Sequence, residues 1–269
     1  MAKKQRLVPN VGDAIKLTDY DPDYHGSLDK ESAAAEYEEL QKRLAELQEK
    51  LYAQGEKSLL VVLQAMDTGG KDGTIKAAFR DVNPQGVDVV AFKQPSAEEL
   101  AHDFLWRVHK HTPVKGQIVV FNRSHYEDVL VVRVNNFVPP ERWQTYYEHI
   151  NAFEKLLAEN GTRILKFYLH ISKAEQKERL QARLDDISKH WKFATGDLKV
   201  RAQWDDYMQA YEAAIERCNT DYAPWHIVPA NRKWYRNWVV TKTLVETLES
   251  MDLRYPPGEE GLDTVVIPD

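Results

Sequence analysis

The chain has 269 residues, 43% of them hydrophobic, which suits one α/β domain with a substantial core. Its mean hydropathy is −0.58, and no apolar run nears the ~20 residues of a membrane-spanning helix, so no membrane association is expected. The net charge of −6 is uneven: residues 246–269 carry all of it, while 162–203 hold ten bases against five acids, so a polyanionic ligand is not excluded.

The basic stretch Met1–Arg6 lacks a following apolar region, so no secretory signal is expected. The one cysteine, Cys218, excludes an internal disulfide or a thiolate metal cluster; it fits packing in a helix and a reducing cytoplasm. Residues 1–30 are polar and turn-rich. The spacing of Leu40, Leu44, Leu47 and Leu51 predicts a helix over 32–54 that packs on the body of the same domain. Strands are predicted at 58–65, 87–92, 117–121, 163–170 and 226–229. Helices are predicted at 74–81, 96–110, 125–134, 140–159, 173–186, 203–218 and 233–250. This alternation predicts an α/β fold with a parallel sheet covered on both faces and a ligand at the carboxyl ends of its strands. Residues 187–201 are basic, carry Trp191 and Phe193, and read either as a lid over a charged substrate or as a surface loop or hairpin. The expected division is an extension over 1–57, one domain over 58–250 with a lid near 184–202, and an acidic tail over 251–269.

The most informative stretch runs from Leu59 to Thr74: an apolar strand, a glycine-rich turn with Lys71, then a helix. That arrangement aims backbone N–H groups and a helix N-terminus at phosphate. Gly69, Gly70 and Gly73 allow close backbone approach, and Thr74 opens the helix. The common phosphate-loop pattern has Gly first and a hydroxyl last, where this chain has Ala65 and Asp72. A carboxylate inside a phosphate cradle makes sense if a metal neutralises it, which assigns Asp67 to Mg²⁺. Asp72 either shares that role or caps the helix.

A second cluster follows the third strand: Asn122, Arg123, Ser124, His125, Tyr126, Glu127 and Asp128. Arg123 at the strand tip is placed to meet phosphate oxygens, with a structural salt bridge as the alternative; His125 reads as structural or substrate-orienting. Arg179 and Arg183 share one helix face and are candidates to follow a transferring phosphoryl. Arg232, Lys233 and Arg236 follow the last strand, another sheet-edge position suited to ligand contact, and Asn231 reads as a helix cap.

The motifs A-M-D-T-G-G-K-D-G-T, F-N-R-S-H-Y-E-D-V-L, R-L-Q-A-R-L, K-H-W-K-F and V-P-A-N-R-K-W-Y-R-N occur in order over about residues 58–240. Together they closely resemble the polyphosphate kinase 2 family, in particular its branch acting on both AMP and ADP. The resemblance implies a three-layer α/β/α P-loop kinase core with a helical lid, inorganic polyphosphate as donor, Mg²⁺ as cofactor, and a homo-oligomer. It makes Asp67, Lys71, Arg123 and Arg183 catalytic. It gives Gly69, Gly70, Gly73, Thr74, Asn122 and Glu127 to nucleotide and phosphate binding. Lys76, Arg80, Lys93, Lys189 and Lys192 resemble positions lining a polyphosphate channel. The family more often has Asp where this chain has Asn122, with Glu127 as the compensating acid; in the branch resembled, that pairing accompanies acceptance of monophosphates. The implied reaction takes AMP to ADP and ADP to ATP, with guanine nucleotides as further candidates. Alternatives are an ATP-dependent nucleoside monophosphate kinase and a non-catalytic polyphosphate or nucleotide binder. Nucleic-acid binding is not expected, because the bases accompany a phosphate loop rather than an aromatic-studded sheet.

Overall fold

A computed structural model describes residues 5–268. The first helix, α1 (Lys30–Gln54), starts where the Asp29 side chain accepts from Ser32 N, and ends at Gly55 with φ 64°. Its Leu44, Leu47 and Leu51 are buried, and Leu40 is partly so. Five strands follow: β1 (Ser58–Gln64), β2 (Val87–Ala91), β3 (Ile118–Asn122), β4 (Thr162–His170) and β5 (Trp225–Pro229). All pair in parallel in the order β2-β3-β1-β4-β5. Each end lies within one residue of the sequence expectation. β1 and β5 are buried at every position, as continuous apolar runs in a doubly covered sheet should be.

The helices between the strands are α2 (Lys71–Ala78), α3 (Ala97–Leu100), α4 (Trp106–His109), α5 (Val131–Val134), α6 (Pro140–Glu159), α7 (Lys173–Leu184), α8 (Gly196–Ala202) and α9 (Trp204–Cys218), and α10 (Lys233–Glu249) follows β5. α1 and α2 pack with α10, while α5, α6 and α9 pack together, so two helical groups flank the sheet. The α/β fold with a parallel sheet is therefore as expected, in a P-loop kinase-like arrangement.

Three segments differ from the expectation, the first two for a local capping reason. The helix expected at 96–110 is two short ones, because Ser96 caps α3 in a reciprocal pair with Glu99 and Asp103 starts a separate turn by accepting from Leu105 N and Trp106 N. The helix expected at 125–134 is a 3₁₀ turn, His125–Asp128, capped by Ser124, and then α5. Residues 187–201 are neither hairpin nor bare loop: they form a 3₁₀ turn over Ile187–Lys192 and most of α8.

Candidate active site

The register sets the strand ends level: Leu63 and Ala91 both pair with Asn122, and Gln64 pairs with Tyr168. The glycine loop after β1 and the turn after β3 therefore leave the sheet side by side. The loop is tight. Gly69 N donates to Met66 O at 2.9 Å, Thr68 has φ 64° and Gly70 has φ 102°. A Cβ on Gly69 would sit 2.5 Å from Ala65 Cβ, and one on Gly70 would run into Arg236 Nη1, so both positions require glycine.

α2 begins at Lys71, three residues before the expected start, because Gly70 in the left-handed region ends the loop there. Lys71 is buried and its Nζ donates to Ala65 O at 3.0 Å. Burial, then the nearby Arg123 charge, lower its pKa to about 8; Asp67, Glu127 and Asp72 oppose that shift. Thr74 departs from the phosphate-binding expectation. Its side chain is fully buried and its hydroxyl donates to Gly70 O at 3.0 Å, a bond within the loop.

Arg123 sits at φ 63°, a conformation that costs a residue with a Cβ on the order of 1–3 kcal/mol. Its Nη2 donates to Asp67 Oδ1 at 2.9 Å and its Nη1 to Glu127 Oε2 at 3.3 Å, joining the two motifs. Glu127 first, and Asp67 after it, hold the guanidinium firmly in its charged form despite its burial. Asn122 Nδ2 donates to Asp72 Oδ1 at 2.6 Å. Asp72 makes no side-chain cap for α2, and of its two expected roles the capping one is absent.

α7 grips the loop from the other side. Gln176 Nε2 donates to Asp67 O at 3.1 Å and Arg179 Nη1 to Thr68 O at 3.0 Å. Arg179 also donates to Ala230 O and Asn231 O and pairs with Glu175 at 2.7 Å, so it ties the loop to the end of β5 rather than following a phosphoryl group. Asn231 does not cap α10: its Oδ1 accepts from Ser172 N. Arg183 lies a turn further along α7, half-buried, donating to Lys192 O at 2.8 Å and facing Asp197 of α8 at 3.5 Å. Burial first, and then the charge of Asp67, push the Asp197 carboxyl above its ordinary range.

Sequence reading missed Gln176, Asp197 and the prominence of Arg236. Arg236 is 3% exposed and lies against Gly70 and Gly73. Its Nε and Nη2 donate to Asn237 Oδ1, whereas Nη1 has no acceptor and no carboxylate pairs with the group among the described residues. Burial, then the Arg179 charge, lower its pKa to about 10. A buried cation without a counter-ion beside a phosphate loop is itself a signal. The sequence offered its place after the last strand as one of three bases suited to ligand contact, but not its burial against the glycine loop.

The expected channel residues are exposed. Lys76 and Arg80 stand one turn apart at the end of α2, and Arg80 pairs with Asp81 and Glu38, each at 3.0 Å. Lys93 follows β2 at the same rim as Arg123. Lys189 pairs with Asp186 at 2.7 Å, and Lys192 lies over the Trp191 ring at 4.9 Å. Among the described residues, no three carboxylate, imidazole or thiolate groups converge as a complete metal cage. Mg²⁺ bound with phosphate needs only one or two carboxylates, and Asp67, on the glycine loop with its Oδ1 on Arg123, fits that requirement.

Comparison with known proteins agrees with this geometry. The profile described as polyphosphate kinase 2 (PPK2) matches residues 27–256. The chain is 54% identical over 267 residues to the AMP/ADP-polyphosphate phosphotransferase of Meiothermus ruber, covering 98% of this chain and 99% of that one. It is 45% identical over 226 residues to the ADP-polyphosphate phosphotransferase of Rhodopseudomonas palustris, covering 80% and 78%. The crystal structure of polyphosphate kinase 2 from Arthrobacter aurescens TC1 superposes with a TM-score of 0.92 at 46% identity, over 96% of this chain and 93% of that one. With its glycine loop, its arginine turn and a profile match over most of its length, the chain belongs to the polyphosphate kinase 2 family.

Proposed function

We propose that the protein transfers the terminal phosphoryl group of inorganic polyphosphate to nucleoside mono- and diphosphates, taking AMP to ADP and ADP to ATP. The observation that carries this is the convergence of Lys71, Arg123 and Arg236 on one glycine turn, with Arg236 lacking any carboxylate partner among the described residues. The activities named for the relatives supply the donor and the acceptors.

Lys71 is mostly protonated at neutral pH and lies at the N-terminus of α2, where it meets oxygens of the transferring group. Arg123 bridges Asp67 and Glu127, so its charge is fixed at the tip of β3 before substrate arrives. Arg183, donating to Lys192 O beside Asp197, would add its charge to the transferring group from α7. An acceptor phosphate oxygen is already anionic near neutral pH, so its in-line attack requires no strong general base. Asp67 would hold Mg²⁺. When bound, the ion neutralises charge on the donor and acceptor phosphates. Asn122 and Glu127 stand where an acceptor phosphate would lie. Lys76, Arg80, Lys93, Lys189 and Lys192 are the exposed bases available to a long polyanion. Guanine nucleotides are further candidate acceptors. A cytoplasmic setting fits the single, buried Cys218, and exposed apolar side chains such as Phe137 and Ile187 support a homo-oligomer.

The test is label transfer from ³²P-polyphosphate to AMP, ADP, GMP and GDP with Mg²⁺. Labelled ADP and ATP are expected from AMP and ADP. Absence of label in any nucleotide would overturn the proposal.

A further inference from the structure

The turn that carries Arg123 and Glu127 is fastened from behind by charges that never reach solvent. Lys166 of β4 and Glu154 of α6 are fully buried, with Nζ and Oε2 2.6 Å apart. Lys166 Nζ also donates to Tyr126 OH at 2.8 Å and to Cys218 O at 2.6 Å, so three acceptors meet the three protons of the ammonium. Glu154 Oε1 in turn accepts from Tyr126 OH at 2.9 Å and lies 3.2 Å from His125 Nε2. Tyr126 packs edge-on against Trp225 at 4.8 Å, and His125 against Phe153 at 5.5 Å. Four separate elements therefore converge on two consecutive residues of the motif.

Stability does not account for this arrangement. Removing an ammonium and a carboxylate from water offsets much of their attraction, and well-packed apolar residues of similar volume are commonly as stable or more so. Position does account for it. Arg123 is held at φ 63°, and such a conformation persists only where the surroundings over-determine it. On the sheet side, Arg123 N donates to Leu63 O and Gln64 Nε2 to Ser124 Oγ. On the far side the buried network grips the chain, through His125 and Tyr126. Burial keeps His125 in its neutral form, while the Lys166 charge and the His125 hydrogen bond overcome burial and keep Glu154 ionised.

We infer that Glu154 and Lys166 are positioning residues that act through His125 and Tyr126 to hold Arg123 and Glu127 in the geometry of phosphoryl transfer. This rests on the role proposed above for Arg123, so Arg123→Ala is assayed alongside. The main variant is the double substitution Glu154→Leu/Lys166→Met, which removes both charges together. It is expected to melt near or above the wild-type midpoint. Assayed well below that midpoint, it should lose about tenfold to a hundredfold in kcat with little change in KM for AMP or polyphosphate. A purely structural pair would leave kcat of the folded variant unchanged. Turnover within about twofold of wild type, with Arg123→Ala inactive, would overturn the inference alone. Near-normal turnover by Arg123→Ala would overturn the role of Arg123 and the inference with it. If the double variant does not fold, Tyr126→Phe keeps the ion pair and removes only the bridging hydroxyl. The same loss in kcat at unchanged KM supports the inference, and a normal kcat overturns it.

Discussion

Lys71 holds its charge at a position that disfavours it. Its pKa, lowered from 10.5 to about 8 by burial, gives a definite linkage. Between those two values the unfolded chain binds a proton that the folded chain lacks, so stability rises with pH across that window. Below pH 8 the full penalty of the buried ammonium remains, on the order of 3 kcal/mol. Lys71→Met should therefore melt no lower than wild type at pH 7 in calorimetry while losing about 10³-fold in turnover. A clearly lower midpoint, or retained turnover, would contradict this reading. For the same reason kcat/KM for polyphosphate, which reports the free enzyme, should fall as pH rises through about 8. Arg123 and Arg236 show what residue types alone do not reveal. The first was legible as a phosphate arginine, but its left-handed backbone and its two carboxylate partners depend on chain segments distant in sequence.

Among the elements, the glycine loop with α2 and the end of α7 lead to separate expectations. Gly70→Ala places a Cβ against Arg236 Nη1 at φ 102° and should cost about 1–3 kcal/mol in denaturant melts. Gly73→Ala meets only Arg236 Nη2, at 3.5 Å, inside a helix, and should leave stability equal or slightly higher. Equal losses at the two positions would refute the packing assigned to Arg236. Arg183 is half-buried and contributes little to the core, so Arg183→Ala should fold normally and lose about 10³-fold in kcat. The five strands were legible almost to the residue, because apolar runs between turn residues are local signals. The broken helix at 96–110 was not, because Asp103 starts its own turn inside an otherwise helical pattern. Arg179 was misread as a phosphoryl-following residue for a different reason. Its acceptors, Thr68 O, Ala230 O and Asn231 O, come together only when β1 and β5 lie in one sheet.

For the molecule as a whole, a parallel sheet brings its loops to one rim, where Lys71, Arg123 and Arg236 meet at the glycine loop despite a net charge of −6. Lys76, Lys93 and Lys192 are exposed, so the KM for polyphosphate should rise with ionic strength while kcat changes little. A salt-independent KM would argue against a surface channel. Inorganic polyphosphate as the donor is the step on which the proposed function turns. The decisive experiment supplies AMP and Mg²⁺ with either polyphosphate or ATP as the sole donor and follows nucleotides by chromatography. Rapid formation of ADP and then ATP with polyphosphate, and negligible ADP formation with ATP, is the predicted result. Comparable ADP formation from ATP and AMP without polyphosphate would contradict it.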